Sequence, residues 1–239
     1  MAFSHGTPNS IVTDGLVFYV DAANRKSYPG SGTVALDFIG GFNGNFINDI
    51  EFNNPNPSNF EFGLSGVDDY IDFFQAGASP LDPQANNYTA NVFFKIDSNN
   101  TTTACIMGKG CGSSNRKGWL IWWSESEARL QYRVSGKNDS TQRANVNFYP
   151  NKNQIYMSTL VIDRTNSQII GYLNGANPQT ASISGFDTFL STQKFLIGIR
   201  HQISLAFHGK IYLAQIYNRA LSASEVAQNY NALKNRFRT

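Results

Sequence analysis

The sequence predicts an all-β fold, an antiparallel sandwich of two sheets with one short C-terminal helix. About eleven short apolar or alternating runs recur along the chain, and clusters rich in Gly, Asn, Pro and Ser separate them. No helical pattern lies between these runs, which excludes the strand–helix alternation of a parallel α/β protein. The 239 residues, of which 41% are hydrophobic, are enough for one large β domain with its own core.

The predicted strands are short segments bounded by turn residues. In the segment 88–96, Val92, Phe94 and Ile96 alternate with their neighbours, as expected for a strand with one buried face. Asn174-Gly175 directly follows another segment, and this dipeptide favours a tight hairpin because both residues tolerate positive φ. The predicted strands are 16–20, 70–74, 88–96, 105–108, 119–123, 130–134, 146–149, 155–163, 169–173, 195–199 and 210–217.

The chain predicts one helix, near its end. Ser222 is followed three residues later by Glu225, the spacing of a capping box in which each side chain satisfies a free backbone N–H. Val226, Tyr230 and Leu233 then recur at spacings of four and three, which gives an apolar stripe. We expect this helix to pack on the sandwich as a lid or clasp.

Composition excludes several functional classes. The net charge is +2 and no basic stripe is concentrated in the sequence, so we expect no nucleic-acid partner. We also expect no membrane insertion, since no apolar run is long enough to cross a bilayer, and the N-terminus carries no secretion signal. Two cysteines, Cys105 and Cys111, are too few for a disulfide scaffold. Reduced thiols are the favoured interpretation, and a bond across a hairpin is the alternative.

The segment 119–123 contains all three tryptophans. Strand alternation places Trp119 and Trp123 on one face and Trp122 on the other. One face must be core, and we expect Trp122 to point outward, beside Tyr132 or Arg133 of the next strand. Burial of all three tryptophans is the alternative. Sugar rings stack on exposed aromatic rings, so Trp122, Tyr132 and Arg133 are candidate glycan-binding residues.

Four motifs are familiar. DGLVFYVDAAN at 14–24, with SYPGSGT at 27–33, resembles the opening of laminin-G-like domains of the concanavalin A-like lectin/glucanase superfamily. GVDDYIDF at 66–73 is similar to an early strand motif of that family, and YLNG at 172–175 to its hairpin. IYNRALS at 216–222, which leads into the terminal helix, resembles the family's closing signature. The likeness is to copies encoded by tailed bacteriophages, cyanophages among them.

The resemblance implies a concanavalin A-like jelly roll over residues 14–239. The residues before it, 1–13, are polar with Gly and Pro at their start, and we expect them to form an N-terminal arm that orders against a neighbouring molecule. Related glucanases carry two Glu about 5 Å apart on one strand, and this sequence has no such pair. Glu125 and Glu127 are expected to be solvated turn residues, and the protein is expected not to be an enzyme. Family members often bind calcium through loop carboxylates. Here Asp68 and Asp69 are the candidates, ahead of Asp163 and Asp187, and use of Asp69 as a strand cap is the alternative.

These expectations combine into a functional hypothesis. The sequence resembles a non-catalytic phage virion protein, a head decoration or a tail or fibre component at the particle surface. Its expected partners are other virion proteins, further copies of itself as a homo-oligomer, and a host-surface glycan. The alternatives are a free-standing bacterial lectin or adhesin and a glycoside hydrolase with a displaced catalytic pair.

Overall fold

The computed structural model describes residues 10–53, 61–73, 79–111, 117–137, 141–200 and 205–237. In this part of the chain, sixteen strands precede helix α1 (Ala223–Leu233) and a 3-10 turn (Lys234–Arg236). The strands are β1 (Leu16–Asp21), β2 (Val34–Ala35), β3 (Gly44–Ile47), β4 (Glu51–Asn53), β5 (Glu61–Ser65), β6 (Tyr70–Asp72), β7 (Tyr88–Ile96), β8 (Ala104–Gly110), β9 (Gly118–Ser124), β10 (Arg129–Ser135), β11 (Arg143–Phe148), β12 (Ile155–Asp163), β13 (Gln168–Leu173), β14 (Ala176–Ser182), β15 (Phe195–Ile197) and β16 (His208–Tyr217).

The strands form two antiparallel sheets. Sheet A has the order β14-β13-β12-β7-β16-β5-β4, and β1 also pairs with β16. Sheet B has the order β11-β10-β9-β8-β15-β6-β3-β2. The last strand, β16, lies beside β7 and β5 because the chain crosses between the sheets, as in a jelly roll. The predicted fold class is confirmed.

Each predicted strand corresponds to a strand of the structure, and five further strands were not predicted. β2, β3 and β4 have two to four residues each, too few for a pattern to show. β5 is also short, with five residues. β14 is polar and exposed along nearly its whole length. It forms because Asn174 and Gly175, with φ of 54° and 72°, turn the chain back onto β13.

Two apolar cores lie on the two sides of sheet A. The larger core fills the space between the sheets and includes Trp119, Trp123 and Tyr132. The second core lies between the outer face of sheet A and α1, and it includes Val226 and Leu233. Each face of sheet A is therefore covered, whereas the outer face of sheet B has no helix upon it in the described structure.

The terminal helix begins as predicted. The Ser222 hydroxyl accepts a hydrogen bond from the Glu225 N–H at 3.3 Å, and the Glu225 carboxylate accepts one from the Ser222 N–H at 2.8 Å. The helix is also tied to the start of the domain. Asn229 accepts a hydrogen bond from the Val12 N–H at 2.8 Å, and the Tyr217 hydroxyl donates to the Val12 carbonyl at 3.0 Å.

The predicted N-terminal arm falls into two parts. Residues 1–9 lie outside the described residues, as do the last two residues of the chain. Residues 10–13, which the prediction placed in the arm, pack against α1, and Val12 is buried in the second core. In the part of the chain that the structure describes, no helix has the length and apolar character needed to cross a membrane.

Candidate functional site

The outer face of sheet B carries aligned rows of side chains across four strands. The pairing register places Cys105, Trp122, Gln131 and Asn147 side by side on β8, β9, β10 and β11. Neighbouring strands lie about 4.8 Å apart, so this row spans roughly 14 Å.

A second row runs beside the first on the same four strands. It consists of Gly108, Leu120, Arg133 and Asn145. Residues two apart on a strand share a face, and on β8 a register shift between Cys105 and Met107 keeps Cys105 and Gly108, three residues apart, in line with the two rows. The two rows therefore make one surface.

Trp122 and Arg133 form the centre of this surface. The guanidinium carbon of Arg133 lies 4.5 Å from the centroid of the Trp122 ring, a cation–π contact. Gln131 Oε1 accepts hydrogen bonds from Trp122 Nε1 at 2.9 Å and from Arg133 Nη2 at 2.6 Å. Arg133 Nε donates to Asn145 at 2.8 Å, and Gln131 Nε2 donates to Asn147 at 2.8 Å. We call these five residues the Trp122–Arg133 patch. Its side chains are held in one arrangement before any ligand binds.

Positive charge is concentrated around the patch. Burial lowers the pKa of Arg133 to about 10, and repulsion from Arg143, Arg129 and Arg200 acts in the same direction. Arg143 lies opposite Ser135 on β11, two residues before Asn145, and therefore stands diagonally across from Arg133. Arg129 is paired with Glu127 at 2.8 Å. The patch is consequently a polar and aromatic surface with a cationic side.

The sequence-predicted glycan residues divide between the two faces of sheet B. Trp122 and Arg133 are partly exposed on the outer face, in the expected orientation, while Trp119 and Trp123 are buried. The expectation for Tyr132 is corrected. Its ring is fully buried between the sheets, and its hydroxyl donates to the Tyr172 carbonyl at 2.9 Å. Alternation along β10 requires this, because Tyr132 lies between Gln131 and Arg133, which face outward.

Cys105 and Cys111 lie beneath the same surface as free thiols. Both are buried, and with Leu120 they make a small apolar cluster against which Trp122 packs. Burial raises the pKa of each thiol to about 12. The two cysteines therefore act as apolar support for the Trp122 ring.

The calcium candidates Asp68 and Asp69 point in different directions. Asp69 is buried, and its carboxylate accepts a hydrogen bond from the Ser65 N–H at 2.8 Å, which is the capping role of the alternative interpretation. Asp68 is exposed, and its carbonyl accepts from Asn48 at 2.8 Å. Among the residues described, no group of three or more His, Cys, Asp or Glu is arranged to hold a metal ion.

A cavity of about 460 Å³ lies beside this loop and is lined by both acidic and basic side chains. Asp97 pairs with Lys95 at 3.3 Å, and Lys210 pairs with Glu61 at 3.0 Å. The lining includes Asp49, Glu51, Asp68, Asp69, Asp97, His208 and Lys210.

Four other acidic residues named in the sequence analysis differ in their surroundings. Burial opposes ionisation of Glu125, but hydrogen bonds from Lys152 at 2.7 Å and Trp123 at 2.6 Å outweigh it and lower its pKa. Glu125 is therefore held in a network, whereas Glu127 is exposed as predicted. Asp163 accepts two hydrogen bonds from Asn166, at 3.0 and 2.7 Å. The backbone carbonyl of Asp187 accepts a hydrogen bond from the Arg164 guanidinium.

The polar part of the patch was missed by the sequence analysis. Gln131, Asn145, Asn147 and Arg143 were not singled out, although a signal for them exists. In β11, Arg143, Asn145 and Asn147 alternate with Ala144, Val146 and Phe148, the pattern of a strand with one polar face. Pairing of this strand with β10 brings that face beside Arg133. The hydrophobic pattern of a single strand does not predict which strand it pairs with.

Comparisons with known proteins agree with this architecture. The model of the concanavalin A-like lectin/glucanases superfamily, laminin-G type, matches residues 65–227. No curated protein sequence matches the chain.

Solved structures show the same fold at low sequence identity. A Trypanosoma rangeli sialidase in complex with a covalently bound difluorosialic acid superposes with a TM-score of 0.65 at 14% identity, over 95% of this chain and 34% of that one. The ligand-binding domain of botulinum neurotoxin serotype D, in complex with N-acetylneuraminic acid, has a TM-score of 0.64 at 14% identity, over 91% and 50%. The chain thus spans about a third and a half of these proteins. Because the family model covers most of its length, the chain belongs to the laminin-G type of the concanavalin A-like lectin/glucanase superfamily.

Proposed function

We propose that this protein is a non-catalytic glycan-binding protein and that the Trp122–Arg133 patch is its binding surface. One observation carries the proposal: a partly exposed tryptophan is held by Gln131 and Arg133 on the outer face of sheet B. Sugars present apolar C–H faces to aromatic rings and hydroxyl groups to amides and guanidinium groups. The patch offers both kinds of partner on one surface.

The fixed geometry of the patch favours binding. Gln131 is nearly completely buried and accepts two hydrogen bonds, so the positions of Trp122 and Arg133 depend on one anchored amide. A ligand does not have to order these side chains when it binds, which reduces the entropy cost of association. The botulinum neurotoxin domain, which shares the fold, is described in complex with a sialic acid, and this supports glycan binding as a use of the architecture.

A glycan array tests the proposal directly. The full chain is applied to the array with calcium and with a chelator, and the best ligand is then titrated against Trp122→Ala. Truncation of a central aromatic contact is expected to weaken binding by about 30-fold or more. Tyr230→Ala is the control, because it removes a partly exposed ring from α1 on the opposite side of the sandwich. Absence of binding to every glycan, or equal binding by Trp122→Ala, overturns the proposal.

The absence of catalysis is also part of the proposal. A hydrolase needs a general acid and a second carboxylate on opposite sides of one bond. Asp82 has a raised pKa, because burial opposes its ionisation, but its two oxygens accept N–H groups of Ser191 and Gln84 at 2.8 and 3.0 Å. Asp82 therefore has a structural role, which is to bind these two backbone N–H groups. Release of free sugar from any glycan bound on the array would establish the hydrolase alternative, and unchanged glycan is the expected result.

The biological setting that we propose is the surface of a phage particle, where the protein would pack as a homo-oligomer against other virion proteins. The support for this setting is the resemblance of the N-terminal and closing motifs to phage-encoded copies. Light scattering gives the mass in solution, and mass spectrometry of purified particles shows whether the protein is part of them. A monomer that is absent from particles would favour the free-standing lectin or adhesin.

A calcium ion at Asp68 and Asp69, which the family resemblance suggests, has little support from the position of this loop. Asp68 and Asp69 precede β6, which lies three strands from β9 in sheet B, or roughly 14 Å. A cation held at that loop would lie too far from Trp122 to contact a sugar ring that stacks on it. Asp68→Asn is therefore expected to leave glycan affinity unchanged, and a loss of affinity would restore the calcium-dependent model.

A further inference from the structure

We propose that Tyr149 is a second sugar-stacking residue beside the Trp122–Arg133 patch, and that the ligand of this surface is a linear glycan chain of three or more sugars. The inference rests on the proposed function and specifies the substrate class of the same surface. It depends on the exposure of Tyr149, on its place at the end of β11 and on its distance from Trp122.

Tyr149 leaves most of its aromatic ring in contact with solvent. Among the residues that the structure describes, the exposed large apolar side chains are Ile39, Val67 and Tyr149, and Tyr149 is the aromatic one, with an exposed fraction of 72%. A tyrosine ring offers an apolar face and a polar hydroxyl, which together suit a sugar. Single exposed apolar side chains are common on protein surfaces, so the position of Tyr149 decides its meaning.

Tyr149 directly follows β11, on the outer side of sheet B. Phe148, the last residue of that strand, is buried in the core between the sheets, while Asn145 and Asn147 are partly exposed. Residues two apart on a strand share a face, so Tyr149 continues the row of Asn145 and Asn147 at the border of the patch. Its exposure agrees with this direction, because a ring on the inner side would be buried.

The distance between Trp122 and Tyr149 exceeds the reach of one sugar. Trp122 lies opposite Gln131, and Gln131 lies opposite Asn147, so Tyr149 is two strands across from Trp122 and two residues along. Strand spacings of about 4.8 Å and a rise of about 3.4 Å per residue give a backbone separation of roughly 12 Å. Opposite atoms of a six-membered ring with bonds of about 1.5 Å lie about 3 Å apart, and the linking oxygen adds about 2 Å per sugar. The first and third sugars of an extended chain can therefore stack on the two rings.

Polar side chains occupy the gap between the two rings. Gln131 Nε2 donates to Asn147 Oδ1 at 2.8 Å, which fixes the Asn147 amide, and this amide is partly exposed. A sugar hydroxyl can donate to or accept from such an amide, so the middle sugar also has a partner. A chain that extends from Trp122 to Tyr149 thus meets a ring, an amide and a second ring, whereas a single terminal sugar would contact one ring alone.

A series of chain lengths tests the inference. The array carries linear chito-, cello- and laminari-oligosaccharides of one to six sugars beside branched and terminal-sugar glycans, and the best linear series is titrated against the full chain. We expect the affinity to rise by about tenfold or more between two and four sugars and then to level off. Tyr149→Ala should remove this rise and leave the affinity for the disaccharide unchanged, whereas Trp122→Ala should weaken binding at every length.

Two further variants serve as controls. Tyr149→Phe keeps the ring and removes the hydroxyl, so it should keep the rise in affinity with chain length. Val67→Ala shortens a side chain that is 76% exposed in the segment before β6, and it should change nothing.

The contrary outcomes separate the inference from the proposed function. Equal affinity for short and long chains, a rise that survives Tyr149→Ala, a loss in Tyr149→Ala that is equal at every length, or loss of the rise in either control overturns the inference and leaves the proposed function standing. Binding confined to branched or terminal-sugar glycans has the same consequence. Failure of every glycan on the array overturns both.

Discussion

The attachment of the C-terminal segment to the domain gives a prediction whose size follows from the geometry. Arg236 donates two hydrogen bonds to Asp21, at 2.7 and 3.0 Å, and the Asp21 side chain is only 1% exposed. Arg236→Met keeps the aliphatic stem but leaves the buried carboxylate without its cation. Removing one partner of a fully buried pair costs about 3–5 kcal/mol. Because the Arg236 side chain is 35% exposed, solvent screens part of this loss, and we expect about 2 kcal/mol.

Urea unfolding of Arg236→Met measures this loss of unfolding free energy. The same loss corresponds to a fall in Tm of about 4–8 °C for a chain of this length. Lys234→Met is the control, since it removes a charge from the same turn without a buried partner, and it should change stability by less than about 0.5 kcal/mol. The double variant with Asp21→Asn should lose less than the sum of the single variants, because the unpaired charge is then absent. A loss below about 0.5 kcal/mol for Arg236→Met, or strictly additive losses, would refute the argument.

Two further predictions concern the core and the helix start. Tyr132→Phe should lower the free energy of unfolding by about 1–2 kcal/mol, because the buried Tyr172 carbonyl loses a donor, and it should leave glycan affinity unchanged in the same titrations. A change in affinity without a change in stability would restore Tyr132 to the binding surface. A hydrogen bond from Arg219 lowers the pKa of Glu225 to about 2, from 4.5. This contribution to stability is complete above pH 4.5 and is lost as the pH falls towards 2, so acid unfolding of Glu225→Gln should be less steep there. If Glu225→Gln and the unchanged protein lose stability equally steeply between pH 4.5 and 2, this prediction is wrong.

The sequence predicted the elements whose pattern is local. Alternation in Trp119 to Trp123 correctly separated Trp122 from the two rings that the structure buries, and the spacing of Ser222 and Glu225 correctly located the helix start. The same alternation could have excluded Tyr132, because it lies next to Arg133 on one strand. A choice of both neighbours as surface residues contradicts the two-residue period.

The site required information that no local pattern contains. Trp122, Gln131 and Asn147 are adjacent only because β9, β10 and β11 pair in one register. The net charge of +2 argued against a basic surface, yet pairing gathers several arginines around one face of sheet B. An average over the whole chain says little about how charge is distributed once the strands are assembled.

The packing of α1 on sheet A places the two ends of the described domain on the side opposite the Trp122–Arg133 patch, which matters when the protein is attached to a surface or fused to another protein. Val12, two residues after the first described residue, and Phe237, the last one, both lie in the core beneath α1, so the chain enters and leaves the described domain on the sheet A side. The Trp122–Arg133 patch is on the other side of the sandwich. A tag, a surface support or a fused protein joined directly at Ser10 or Phe237 would therefore attach behind the domain and leave the patch facing outward.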